Sequence, residues 1–162
     1  MPVENPLAIL TFIAAPAILT NAASLLVQGT SNRFGRTIDR TRTIIKMLEA
    51  KSADEQEVAL YRQLLTWMER RTVLLLRAIW FFSFSIGCFA AGSLLALLIA
   101  ALMAAAHPLL LRAMLGLALL AGAGGLGSLV IGGMLLVRET RLGLLTISEE
   151  TRFYRMRYLG GE

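Results

Sequence analysis

Three long stretches of the chain contain no charged residue, and they cover residues 6–27, 79–102 and 113–137. Each is long enough to cross the hydrocarbon core of a bilayer, which takes about 20 helical residues. The region between the first two stretches keeps a helical spacing of apolar positions, but one of its faces is polar. The pattern therefore predicts three membrane-spanning helices and an additional amphipathic helical region.

The amphipathic region divides into two predicted helices. The apolar positions of the first are Phe34, Ile38, Ile45 and Leu48, and those of the second are Leu60, Leu64, Trp67 and Met68. Between them, Ser52 followed three residues later by Glu55 has the form of a capping box, which is typical of a helix start. Facing each other, the two helices would form an antiparallel hairpin.

We therefore expect an all-α, three-span transmembrane protein with a cytoplasmic helical hairpin stalk, assembled as an oligomeric bundle. The predicted segments are the first span at residues 1–29, the basic hairpin at 30–72, the transmembrane hairpin of spans two and three at 73–137, and a basic tail helix at 138–162. The tail helix is expected to continue the third span.

Lysine and arginine are distributed unevenly around the predicted spans. None precedes the first span, nine lie between it and Arg77 at the start of the second, Arg112 lies between the second and third, and five follow the third. Positive residues near span ends stay on the cytoplasmic side of a membrane. The distribution predicts an N-terminus outside the cell, with residues 30–72 and the C-terminal tail in the cytoplasm.

The composition supports a membrane class. Of the 162 residues, 56% are hydrophobic and 17% are charged, against about 25% charged in a typical soluble domain. The net charge is +5, which in a soluble protein would suggest nucleic acid as a partner. Here the basic residues are explained by cytoplasmic retention and by attraction to anionic lipid, so we expect the lipid bilayer and no nucleic acid as a partner.

The first span carries a polar stripe that the other two spans lack. On a 3.5-residue repeat its polar members are Asn21, Ser24, Gln28 and Ser31. Two interpretations stay open: a pore lined by several copies of the span, and polar side chains that hydrogen-bond across packed helices. Pro16 removes one backbone hydrogen bond from the same helix and predicts a kink.

Spans two and three carry small residues at helical spacing. These helix-packing candidates are Gly87, Ala91, Gly92, Gly124, Ser128 and Gly132. Small residues let helix backbones approach closely in lipid, so the two spans should pack as a tight hairpin. Arg77, Trp80 and Arg112 are expected to anchor the span ends at the membrane interface.

No residue pattern points to catalysis. Cys88 is the one cysteine and His107 the one histidine, and His107 has no neighbouring ligand in the sequence with which to hold a metal. We expect no enzymatic activity, metal or cofactor. The favoured hypothesis is a homo-oligomer that conducts ions through a centre lined by span one. The alternative is an accessory or scaffold subunit of a larger membrane complex.

The opening of the chain resembles a bacterial integral membrane family catalogued as a domain of unknown function. The resemblance is carried by Pro16, Leu19, Asn21-Ala22, Leu25-Leu26, Thr30 and Asn32-Arg33 within residues 6–33. It extends over roughly residues 5–145, with the tail beyond Arg138 expected to be more variable and outside it. The resemblance implies a small multi-span protein of the bacterial inner membrane, and it supplies no activity, ligand or catalytic residue.

Overall fold

The computed structural model describes residues 6–49, 55–102 and 107–158. They form three α-helices: α1 at Pro6–Glu49, α2 at Glu55–Leu102 and α3 at Pro108–Tyr158. The expected all-α architecture is therefore confirmed. Each uncharged stretch shares one uninterrupted helix with the polar segment next to it.

Proline residues occupy two informative places. Pro108 opens α3, where its missing N–H needs no partner, and the His107 carbonyl accepts the N–H groups of Leu110 at 3.0 Å and Leu111 at 3.3 Å. Pro16 lies inside α1, which continues through it. The hydroxyl of Thr20 donates to the Pro16 carbonyl at 2.8 Å. The predicted capping residue Ser52 lies outside the described residues.

Two helices are long and apolar enough to cross a membrane. They are the segments Glu57–Leu102 and Pro108–Met156, in which an 18-residue window reaches a mean hydropathy of 2.2 and 2.0, respectively. Many of their large apolar side chains are exposed, for instance Leu94, Leu120 and Val130. Such surfaces are costly in water and suit a lipid environment.

The chain divides into two compact units. The first unit comprises Met1–Gln28 and Ile79–Gly132, and the second comprises Gly29–Ala78 and Gly133–Glu162. All three helices contribute residues to each unit. Each unit is therefore a packing of three helical segments.

In the first unit, phenylalanine rings of α2 pack against glycines of α3. A Cβ atom built on Gly132 would lie 2.5 Å from the ring of Phe82, and one on Gly125 would lie 2.7 Å from the ring of Phe89. Both rings are almost completely buried. The two glycines are seven residues apart, as are the two rings, which is the repeat that keeps one face of a helix against its partner.

In the second unit, α1 and α2 share a hydrophobic core. Ile44, Leu64 and Met68 are buried at its centre. The partly buried residues packed around them are Leu48, Leu60, Tyr61, Leu65 and Trp67. Most of these side chains belong to the apolar faces that the sequence pattern assigns to the two polar helices.

Candidate functional site

The polar stripe of α1, which the sequence assigns to a first span, is exposed. Asn21, Ser24, Gln28 and Ser31 all lie on the outside of the single chain. Ser24 satisfies its hydroxyl within the helix by donating to the Thr20 carbonyl at 2.9 Å.

A different face of α1 is buried. Its buried side chains recur every seven residues, at Ala23, Thr30, Thr37 and Ile44. The polar stripe is therefore not part of the buried face of α1. The stripe remains open to another molecule.

The small residues of spans two and three fall into two groups. Gly87 and Ala91 are exposed, and a Cβ atom on Gly87 would meet nothing within 4 Å. The others lie at contacts between α2 and α3. A Cβ atom on Gly92 would lie 3.8 Å from the Ala118 carbonyl oxygen, and one on Gly124 would lie 3.9 Å from the Cys88 sulfur.

Ser128 adds a hydrogen bond to this helix contact. Its hydroxyl donates to the backbone carbonyl of Phe81 in α2 at 2.6 Å, so the bond joins the two helices. A short polar bond between helices is worth about 0.6 kcal/mol in membranes. Small side chains on α3 thus allow both close approach and a specific interhelical bond.

The candidate interface anchors are exposed. Trp80 stacks on Phe84 with a centroid distance of 5.6 Å and meets Phe81 edge to face at 5.2 Å. Arg77 and Arg112 also lie on the surface. An exposed aromatic cluster next to a cation is typical of a membrane interface.

The second unit contains a buried carboxylate that the sequence analysis missed. Glu139 of α3 has only 2% of its side chain exposed. One carboxylate oxygen, Oε1, accepts two N–H groups of Arg71 from α2, at 3.0 Å from Nε and 2.6 Å from Nη2. The other, Oε2, lies 3.6 Å from Nη1 of Arg33 in α1. One acidic side chain therefore joins all three helices of the unit.

Glycine makes room for this ion pair. A Cβ atom on Gly143 would lie 3.2 Å from the guanidinium carbon of Arg71. Gly143 itself is buried. The guanidinium group therefore lies flat against the backbone of α3, one turn beyond the carboxylate that it binds.

A cavity of about 580 Å³ opens beside the buried carboxylate. Four arginines line it, Arg33, Arg36 and Arg40 from α1 and Arg71 from α2, together with Glu139. The three arginines of α1 share one face because they are spaced by three and four residues. Arg40 also pairs with Glu150 of α3. The cavity is thus strongly basic, with one carboxylate in its wall.

A repeat in the sequence could have revealed Glu139. It lies seven residues after Gly132, and Thr146 lies a further seven residues on. Both Glu139 and Thr146 are buried. Extending the small-residue face of the third span by one heptad would therefore have placed this carboxylate on the packed side of α3.

A tyrosine pair lies elsewhere in the second unit. A hydrogen bond to the side chain of Tyr154 raises the pKa of Tyr61 to about 12, with smaller contributions from burial and from nearby negative charge. Tyr61 therefore keeps its proton at physiological pH. Among the side chains that the structure describes, no three of His, Cys, Asp or Glu lie close enough together to hold a metal ion.

The sequence of this chain matches a known protein family. The profile of the family named DUF2721, described as a protein of unknown function, matches residues 13–149. The chain belongs to the DUF2721 family. The match supports the resemblance seen at the start of the chain. It also corrects one expectation, because the shared region extends beyond Arg138.

The DUF2721 region contains every residue of the arginine-lined cavity, from Arg33 to Ile147. Searches of curated proteins and of solved structures found no match.

Proposed function

We propose that the protein is a non-enzymatic, three-span protein of the bacterial inner membrane that assembles with copies of itself through the polar stripe of α1. The observation that supports it is the exposure of Asn21, Ser24, Gln28 and Ser31 in the single chain. In this proposal the N-terminal half of α1 is span one, beside the apolar segments of α2 and α3, which are spans two and three. The N-terminus lies outside and the C-terminus in the cytoplasm.

The membrane gives a physical reason for assembly. A polar side chain that faces hydrocarbon loses its hydrogen bonds to water and gains none in return. Burial against another helix restores those bonds, and polar side chains are a common means of joining helices in lipid.

The chemistry of the stripe favours identical copies as partners. Asn21 and Gln28 each carry an amide, which both donates and accepts hydrogen bonds. Two copies of the same side chain can therefore pair with each other across a symmetric interface.

Ion conduction is the finer part of the proposal. In a ring of copies, the stripe would turn its amides and hydroxyls toward a central axis. Polar side chains that line water in a membrane serve as an ion path. Span one is then both the contact between subunits and the wall of the conduit.

Disulfide cross-linking tests the assembly. In a Cys88→Ser background, Asn21→Cys should form covalent dimers on oxidation in membranes, because equivalent stripes face each other. Ala22→Cys is the matched control, since it is also exposed on α1 but lies about 100° around the helix. A mass measurement in detergent gives the number of copies. A monomer, or equal cross-linking at both positions, contradicts the proposed interface.

Conductance tests the conduit separately. Asn21→Leu combined with Gln28→Leu should alter the current through reconstituted bilayers because it removes both amides. The mass of the variant oligomer is measured in parallel, so that a change in current is distinguished from a loss of assembly. The single-channel current of the wild-type protein is the reference. Absent or unaltered current rules out conduction and leaves the assembly to be judged by cross-linking.

A further inference from the structure

We propose that the arginine-lined cavity of the second unit binds a phosphate group, carried by an anionic phospholipid or present as the free ion. The cavity has about 580 Å³, within the range of about 300–1,000 Å³ that is typical of ligand sites. The residues that carry the inference are Arg33, Arg36, Arg40, Arg71 and Glu139.

The charge of the cavity wall favours an anion. Its lining has four arginines and one glutamate, and one of these arginines, Arg40, pairs with Glu150. Glu139 and Glu150 together offset two of the four positive charges. Clustered guanidinium groups repel one another unless an anion is present. A phosphate group would offset at least part of that excess, since the phosphodiester of a phospholipid has one negative charge and the free ion has between one and two.

The arginines retain donors that the described contacts do not use. Each guanidinium group carries five N–H groups. Among the described contacts, Arg36 uses only Nε, which donates to its own helix at the Asn32 carbonyl, 3.4 Å away. Arg71 uses Nε and Nη2 on Glu139. Guanidinium groups suit phosphate because pairs of their N–H groups match pairs of its oxygens.

Glu139 fixes the position of these donors. Its carboxylate holds Arg71 by two hydrogen bonds and lies 3.6 Å from Arg33. The buried acid therefore acts as a positioning residue that orients two guanidinium groups. Arg36, which is exposed and bound to no carboxylate among the described contacts, supplies the most accessible charge.

The sequence positions suggest lipid as one source of the phosphate. Arg33 follows the first uncharged stretch, and Glu139 follows the third by two residues. If these stretches span the membrane as proposed above, the arginines lie at the level of lipid headgroups on the cytoplasmic side. Basic pockets near that surface bind anionic headgroups. This step alone rests on the proposed membrane topology.

Two probes distinguish the sources of phosphate. Native mass spectrometry of the full chain in detergent would compare bound phosphatidylglycerol with bound phosphatidylcholine. Inorganic phosphate in lipid-free detergent would be compared with chloride at equal ionic strength by the shift in melting temperature. Preference for phosphatidylglycerol identifies a headgroup site, and stabilisation by phosphate alone identifies a free-ion site.

Arg36→Gln is the decisive variant, because it removes charge from the cavity without disturbing the Arg71–Glu139 pair. We expect it to weaken binding of the effective probe about tenfold, as for the loss of a charge-assisted hydrogen bond. Arg62→Gln is the control, since Arg62 is exposed in the same unit and lies outside the cavity lining. Circular dichroism verifies that both variants fold.

The proposal is overturned if neither probe binds the wild-type protein in preference to its comparison, or if Arg36→Gln and Arg62→Gln weaken binding equally. Equal weakening would mean general attraction to a basic surface. The mass of the oligomer is recorded in the same spectra. Loss of the phosphate site and failure of self-assembly therefore give different results.

Discussion

Glu139 shows how one acidic residue can organise a basic region. Its carboxylate is 2% exposed and the Arg71 side chain is 20% exposed, so both ions have lost most of their water. Such a pair adds little net stability compared with an apolar pair of the same size. Removal of one partner is costly, however, because it leaves the other charge buried and uncompensated.

We predict that replacing two different glutamates by glutamine has very different effects on the free energy of unfolding. Glu139→Gln should destabilise the protein by about 2–3 kcal/mol, since Arg71 keeps its charge and loses its counterion. Glu150→Gln is the matched control, because Glu150 is 29% exposed and its partner Arg40 is 49% exposed. Its cost should be below about 1 kcal/mol. Unfolding in denaturant measures the free energy of unfolding of both variants. Equal costs for the two variants would contradict the predicted effect of burying Glu139.

Glu139 is hard to recognise from the sequence for an identifiable reason. It belongs to a tail with five basic residues, where an acidic residue is expected to face solvent. Its significance comes from Arg71, which is 68 residues earlier in the chain. Periodicity indicates which face of a helix is packed, but it does not indicate which residue of another helix lies opposite.

Helices α2 and α3 pack through complementary shapes as well as through apolar side chains. The Phe82 ring occupies the space that Gly132 leaves, and the ring is fully buried. In lipid the contact depends on close packing rather than on exclusion of water. Any atom added to Gly132 should therefore disturb this contact directly.

We predict that replacing two glycines of α3 by alanine has different effects on the stability of the helix pair. Gly132→Ala should destabilise the protein by about 1–3 kcal/mol, because its Cβ would lie 2.5 Å from the Phe82 ring. Gly127→Ala is the control, since a Cβ there meets nothing within 4 Å. It should be neutral or stabilising by up to about 1 kcal/mol, because alanine favours helix over glycine.

Thermal unfolding of both variants in one detergent provides the measurement. Phe82→Leu in the Gly132→Ala background should recover part of the lost stability, because the smaller side chain makes room for the new methyl group. Equal melting temperatures for Gly132→Ala and Gly127→Ala would contradict the packing of Phe82 against Gly132.

The elements themselves were accessible from the sequence. Long uncharged stretches and helical spacing predict three spans, two amphipathic helices and a tail helix, and the structure joins these segments into the three long helices α1, α2 and α3. The face of α1 that packs against the other helices is harder to predict, because the most visible pattern of α1 is the polar stripe. Ala23, Thr30 and Thr37 form the buried face instead. In a segment with few large residues, small apolar and hydroxyl side chains differ too little for hydropathy to locate the packed face.

At the scale of the whole chain, the two units show different chemistry within the same three helices. The contacts of the first unit are made by glycine, serine and phenylalanine, such as Ser128 and Phe89, whereas the second unit contains a leucine-rich core and the Glu139 ion pair. Composition along the chain predicts this division, since it separates uncharged stretches from charged ones. It does not predict contacts with other molecules, because such contacts depend on surfaces that a single chain leaves open.

The order of synthesis gives the Glu139 ion pair a further role. Arg33 and Arg71 leave the ribosome well before Glu139, because all three lie on one chain that is made from its N-terminus. Both counterions of Glu139 are therefore already present in the chain when the acid is added. Truncation before Glu139 would leave Arg33 and Arg71 without the acid that holds them.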